Sequence, residues 1–167
     1  MNEIRYIGQL LFLLIIQVFL LNQINFLGFA NPMVYLLFFL IFPYQESNIP
    51  LLFLAFFSGI IIDAFSDTGG IYTAATLVLV QIRPMLIQLL FGKNFEYQSI
   101  ELLQQSVYIR WTYVVLLILI YYITFYLLEI FNFHHIVLTL QRIIVSTFIT
   151  SIICVICLYI FDTKKER

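Results

Sequence analysis

Residues 136 to 161 run for the length of a helix with one charged side chain among them, Arg142. At about 1.5 Å of rise per residue such a helix covers a hydrocarbon core of about 30 Å. The rest of the chain is written in the same way: 63% of its 167 residues are apolar or aromatic and 10% are charged, where soluble domains carry about a quarter charged. A soluble domain of this length could bury a core, but it would need polar residues to cover its surface, and too few are present. Bilayer is the natural solvent. The formal charge of -1 and the absence of basic runs argue against nucleic acid or an acidic partner held by bulk electrostatics.

Further apolar runs cover 6 to 22, 32 to 43, 50 to 63, 71 to 91 and 108 to 129. Together they predict an all-α polytopic membrane protein, one bundle of about six transmembrane helices forming a single domain over 1–167. The stretch after residue 22 lacks the small-residue pattern of a cleavage site, so the first run reads as an uncleaved helix. Asn31-Pro32 opens the second run and Pro43 closes it. That run is too short to span alone unless the bilayer thins or a neighbouring segment helps. Arg83-Pro84 lies well inside the fourth run and predicts a kink, because Pro84 cannot donate to the carbonyl of Val80. Between Phe95 and Tyr108 the sequence suggests a short interfacial helix with Ser99 as its N-cap.

Orientation follows from Lys and Arg near the helix ends. With the N-terminus inside, the inner loops and ends hold Arg5, Lys93, Arg110, Lys164, Lys165 and Arg167, while the outer loops 23 to 31, 63 to 70 and 130 to 135 hold none. Both termini are expected on the cytoplasmic side of the cytoplasmic membrane. Ala55, Gly59 and Asp63 fall on one helical face, a small-residue spacing that lets helix backbones approach closely. The face fits either an internal contact of the bundle or the docking of a partner helix.

From Asn31 to Phe91 the chain resembles the MreD family of bacterial cell-shape proteins. The likeness rests on Asn31-Pro32 opening a short helix that contains Tyr35, Pro43 ending it, then Gly59-Ile60-Ile61-Ile62-Asp63-Ala64-Phe65, and Gly70 after a short turn. It implies a non-enzymatic scaffold of the rod complex that directs lateral peptidoglycan synthesis, without a cofactor. The partners it implies are an MreC-like membrane protein and, indirectly, the actin-like MreB, the polymerase RodA and its transpeptidase, with the surface segment 95 to 108 a candidate contact on the MreB side. The family's fold is in turn similar to the six-helix substrate-binding components of vitamin transporters, which supplies a second functional expectation. A homo-oligomer is compatible with either.

Charges inside apolar helices mark sites of some function by default, and three fall there: Asp63, Arg83 and Arg142. Counting depth along each helix puts Asp63 and Arg142 at one level, roughly 20 Å from the inner boundary, so they are expected to pair, with Glu129 the rival partner for Arg142. Arg83 falls nearer the inner boundary and is expected to snorkel to the cytoplasm. Cys154 and Cys157 form a C-x-x-C inside the last run, where thiolate chemistry is disfavoured, and read as packing residues. His134 and His135 in an outer loop would need Asp67 or Glu129 to complete a metal site and read more simply as interfacial residues. No H-E-x-x-H, P-loop or glycine-flanked serine nucleophile occurs, and the polar groups of the helices are scattered, so catalysis is not expected.

Overall fold

Proline and glycine punctuate the apolar runs, and the computed structural model changes element at those points. It describes residues 2–22, 31–43, 48–91, 107–130 and 136–163, whose regular structure is helical throughout. Helix α1, Asn2–Ile16, continues through one π-helical turn, Gln17–Leu21. The remaining helices are α2 (Leu36–Ile41), α3 (Ile49–Ser66), α4 (Ile71–Phe91), α5 (Val107–Glu129) and α6 (Ile136–Thr163). Successive long helices pack side by side, α3 on α4, α4 on α5 and α5 on α6. Pro50 lies in the first turn of α3, where its missing N–H costs nothing. α4 runs unbroken through Pro84.

Among the described residues four helices, α3 to α6, are long and apolar enough to cross a membrane, and the apolar stretch Tyr6–Leu21 is shorter. Four of the six expected spans are thus long enough to cross, and α2 is the shortest α-helix. The outward faces are apolar as well, with Phe12, Phe53, Phe57, Met85, Leu89 and Phe148 all exposed. Such a surface suits lipid rather than water.

The largest departure from the sequence reading is the second run. A helix over 32 to 43 was expected, yet α2 has only six residues. Proline explains both ends: the residue before a proline is pushed out of the α region, and Phe42, before Pro43, sits at φ −52° and ψ 131°. Residues 31–33 likewise stay outside the helix beside Pro32. Instead of facing lipid, the segment fills the middle of the bundle, and every residue from Met33 to Leu40 is buried. It runs antiparallel to α1, with Gln17 beside its start and the Tyr6 ring 5.2 Å from the Phe42 ring at its end. Residues 95 to 106, His134 and His135 lie outside the described residues.

Candidate functional site

Non-helical backbone inside an apolar bundle must find partners within the protein, and the polar side chains of the interior supply them. Gln17, in the π turn of α1, donates through Nε2 to the Pro32 carbonyl at 3.1 Å and accepts the Val34 N–H through Oε1 at 2.8 Å. Tyr122 donates to the Asn31 carbonyl at 2.7 Å, and the Met33 N–H donates to Thr150 Oγ1 at 3.3 Å. A hydroxyl has one proton, which fixes the direction of the chain. Tyr122 spends its proton on Asn31, so the 2.6 Å bond between Tyr122 and Thr150 is donated by Thr150. By the same count Thr76 donates to the Tyr72 carbonyl, Tyr35 to Thr76 at 2.7 Å, and Tyr121 to Tyr35 at 3.0 Å. The central segment is thus held by side chains of α1, α4, α5 and α6.

Of this network the sequence singles out Tyr35, and offers Gln17 only as one of the scattered polar groups, while Tyr121, Tyr122 and Thr150 are not distinguished by it. The signal was present: Thr139, Ile143, Ser146, Thr150 and Cys154 recur at helical spacing along α6, and all five are buried. That period marks an inward polar stripe in an otherwise apolar helix. Cys154 packs at its end, with Cys157 half-buried beyond it, and both thiols are free.

Asp63 is not paired with Arg142. Its carboxylate takes four donors from the turn after α3 and the start of α4: Thr68 Oγ1 at 2.6 Å and the Tyr72 N–H at 3.0 Å on Oδ1, the Thr73 N–H at 2.9 Å and Thr73 Oγ1 at 2.6 Å on Oδ2. The first turn of α4 has N–H groups without helical acceptors and a favourable dipole for an anion, so Asp63 caps α4 from the end of α3. Shared depth with a cation does not decide the partner here, because the start of α4 lies beside the carboxylate and supplies its donors. The turn that brings them together is tight. Asp67 adopts a left-handed conformation at φ 53°, and Gly70 sits at φ +104°, which side chains other than glycine's rarely adopt.

Gly59 completes this corner. A Cβ there would press on the Thr73 backbone, 2.8 Å from its nitrogen and overlapping its Cα. Ala55, Gly59 and Asp63 are buried in the α3 face, so this is an internal contact of the bundle, and the face is closed to a partner helix.

Arg83 does not snorkel. At 2% exposure it is among the largest fully buried side chains, donating from Nε to the Tyr113 hydroxyl at 2.9 Å and from a terminal nitrogen to the Phe42 carbonyl. The second bond ends on Phe42, just past α2, whose carbonyl is turned out of the helical direction and has no helical partner. The break at Pro43 leaves that carbonyl free as an acceptor, and Arg83 reaches it inside the bundle. Pro32 is buried beside Gln17, and Pro43 is half-buried.

Arg142 lies elsewhere, exposed on the rim of a cleft of about 580 Å³ lined by residues of α1 and its π turn, α3, α4, α5 and α6. Its floor is Val18, Tyr72, Phe125 and Tyr126, all buried, and its walls include Asn22, Asn31, Ser66 and Thr68. Glu129 is also exposed at the rim. Asn31 Oδ1 is buried without a partner among the described residues.

These features define an all-helical bundle whose long helices could span a membrane, built around a buried, broken segment. Compared with known proteins, the chain matches no family model, no curated protein and no solved structure.

Proposed function

We propose that the chain is a multi-pass protein of the cytoplasmic membrane, with both termini inside, that acts as a non-enzymatic scaffold of wall elongation in the manner of MreD. On this reading it joins an MreC-like membrane protein and, through it, MreB, RodA and its transpeptidase partner. One observation supports the reading: each residue behind the resemblance has a structural task in the bundle. Pro32 and Pro43 bound the buried segment, Gly59 lets α4 approach α3, Asp63 caps α4, and Gly70 makes the turn between them. The buried charges Asp63 and Arg83 are spent on backbone and hydroxyl groups rather than left for chemistry, which suits a rigid scaffold. Depletion of the protein should disturb cell shape and wall insertion, and a tagged copy should co-purify with an MreC-like protein. Normal morphology, or growth restored by one vitamin, would contradict it.

The cleft favours a second reading, a substrate-binding subunit of a vitamin-type transporter, because aromatic and polar side chains gather there at one end of the bundle. Co-purification with an energising ATPase pair would support that reading over the first.

A further inference from the structure

The scaffold reading leaves the cleft without a task, and its composition is specific. Tyr72, Phe125 and Tyr126 form a buried aromatic floor, and Glu129 and Arg142 stand exposed at the mouth. At about 580 Å³ the space falls within the range of small-molecule sites, which pair apolar walls with a few polar groups that fix orientation. Asp63 lies close by, but its oxygens are already taken by four donors of the α3–α4 corner. Among the described residues of the lining, the charges left to a ligand are one carboxylate and one guanidinium.

We propose that this cleft binds a small zwitterion carried on an apolar body, its cationic group at Glu129, its anionic group at Arg142 and its body on the aromatic floor. A guanidinium offers a fork of donors to a carboxylate or phosphate, and the rings of Tyr72 and Tyr126 add a favourable surface for a cation. A ligand with a single charge would leave one rim group unmatched. Two sources share this chemistry: a free aromatic α-amino acid, and the phosphoethanolamine headgroup of a lipid, whose acyl chains would continue onto the apolar faces beside Phe19 and Phe65. The inference goes beyond the scaffold reading and does not rest on it.

The test uses the full chain in nanodiscs of phosphatidylglycerol, with equilibrium dialysis of labelled L-phenylalanine and labelled phosphoethanolamine. In parallel, retention of phosphatidylethanolamine is measured by native mass spectrometry. Saturable binding of one probe per chain is expected, at least tenfold tighter than the half-molecules ethyl phosphate, ethanolamine or phenethylamine. Glu129→Gln should abolish the preference over the half lacking a cation, and Arg142→Gln the preference over the half lacking an anion. Both side chains are exposed, and the comparison of whole and half probes on the unaltered protein needs no variant. Retention of the lipid with weak binding of the free probes assigns the site to a headgroup, and tight binding of L-phenylalanine assigns it to a free ligand. No saturable binding of any probe, equal affinity for whole and half molecules, or affinities unchanged in both variants would overturn the proposal.

Discussion

The bundle handles a buried anion at one end and a buried cation at the other, and the two solutions differ in reach. Asp63 is met by residues five to ten positions along the chain, within the corner between α3 and α4. Arg83 is met by Tyr113 and Phe42, which are 30 and 41 positions away. The carboxylate ends on the N-terminus of α4, whereas the guanidinium is met by a tyrosine hydroxyl and by the carbonyl of Phe42 just past α2. An opposite charge is not needed. What the comparison teaches is that backbone groups brought into the bundle by breaks at Pro43 and Gly70 can serve as counterions.

The largest effect should come from the Asp63 end. Asp63→Leu leaves two N–H groups and two hydroxyls without their acceptor, and at about 1 kcal/mol or more each it should lower unfolding stability in nanodiscs by about 4 kcal/mol. Arg83→Met leaves two acceptors unmet but also removes a buried charge, so it should cost less, about 2 kcal/mol. A larger loss at Arg83 than at Asp63 would reverse the comparison. Gly59→Ala probes the corner from the other side. Its methyl meets the Thr73 backbone rather than a side chain that could turn away, and overpacking of this kind costs about 1 to 3 kcal/mol. If the thermal midpoint of that variant matched the parent, the close approach of α3 and α4 would be wrong. Smallest is Tyr121→Phe, which removes only the outermost proton of the chain to Tyr35 and Thr76. About 0.6 kcal/mol is expected, the mean for such bonds between membrane helices.

The difference in reach also explains how much could be read from the sequence. The bounds of α4 and the small-residue face of α3 follow from local spacing, and both are present in the structure. Asp63 was recognised as a buried charge, but its partner was sought at matching depth rather than nine residues ahead, where a glycine turn delivers a helix start. Arg83 was beyond local reasoning, since its acceptors come from the second run and from α5. The same holds for Gln17: a lone amide in an apolar run signals a buried partner, but only the fold says that this partner is the backbone of residues 32 to 34. Proline at 43 is a boundary in the structure as in the sequence, whereas the helix begins at Leu36 and not at Pro32. The burial of the short, broken segment between them depends on neighbours drawn from four helices.

The central claim is that charges in this interior are stabilised by backbone and hydroxyl groups and not by one another, and double-mutant cycles centred on Asp63 test it most directly. Unfolding free energies in nanodiscs would be measured for Asp63→Asn combined with Thr73→Val, and for Asp63→Asn combined with Arg142→Gln. Thr73 bonds the carboxylate through its hydroxyl at 2.6 Å, whereas Arg142 stands on the rim of the cleft. The account predicts a coupling of about 1 kcal/mol or more with Thr73 and additivity within about 0.5 kcal/mol with Arg142. Strong coupling to Arg142 with none to Thr73 would contradict it.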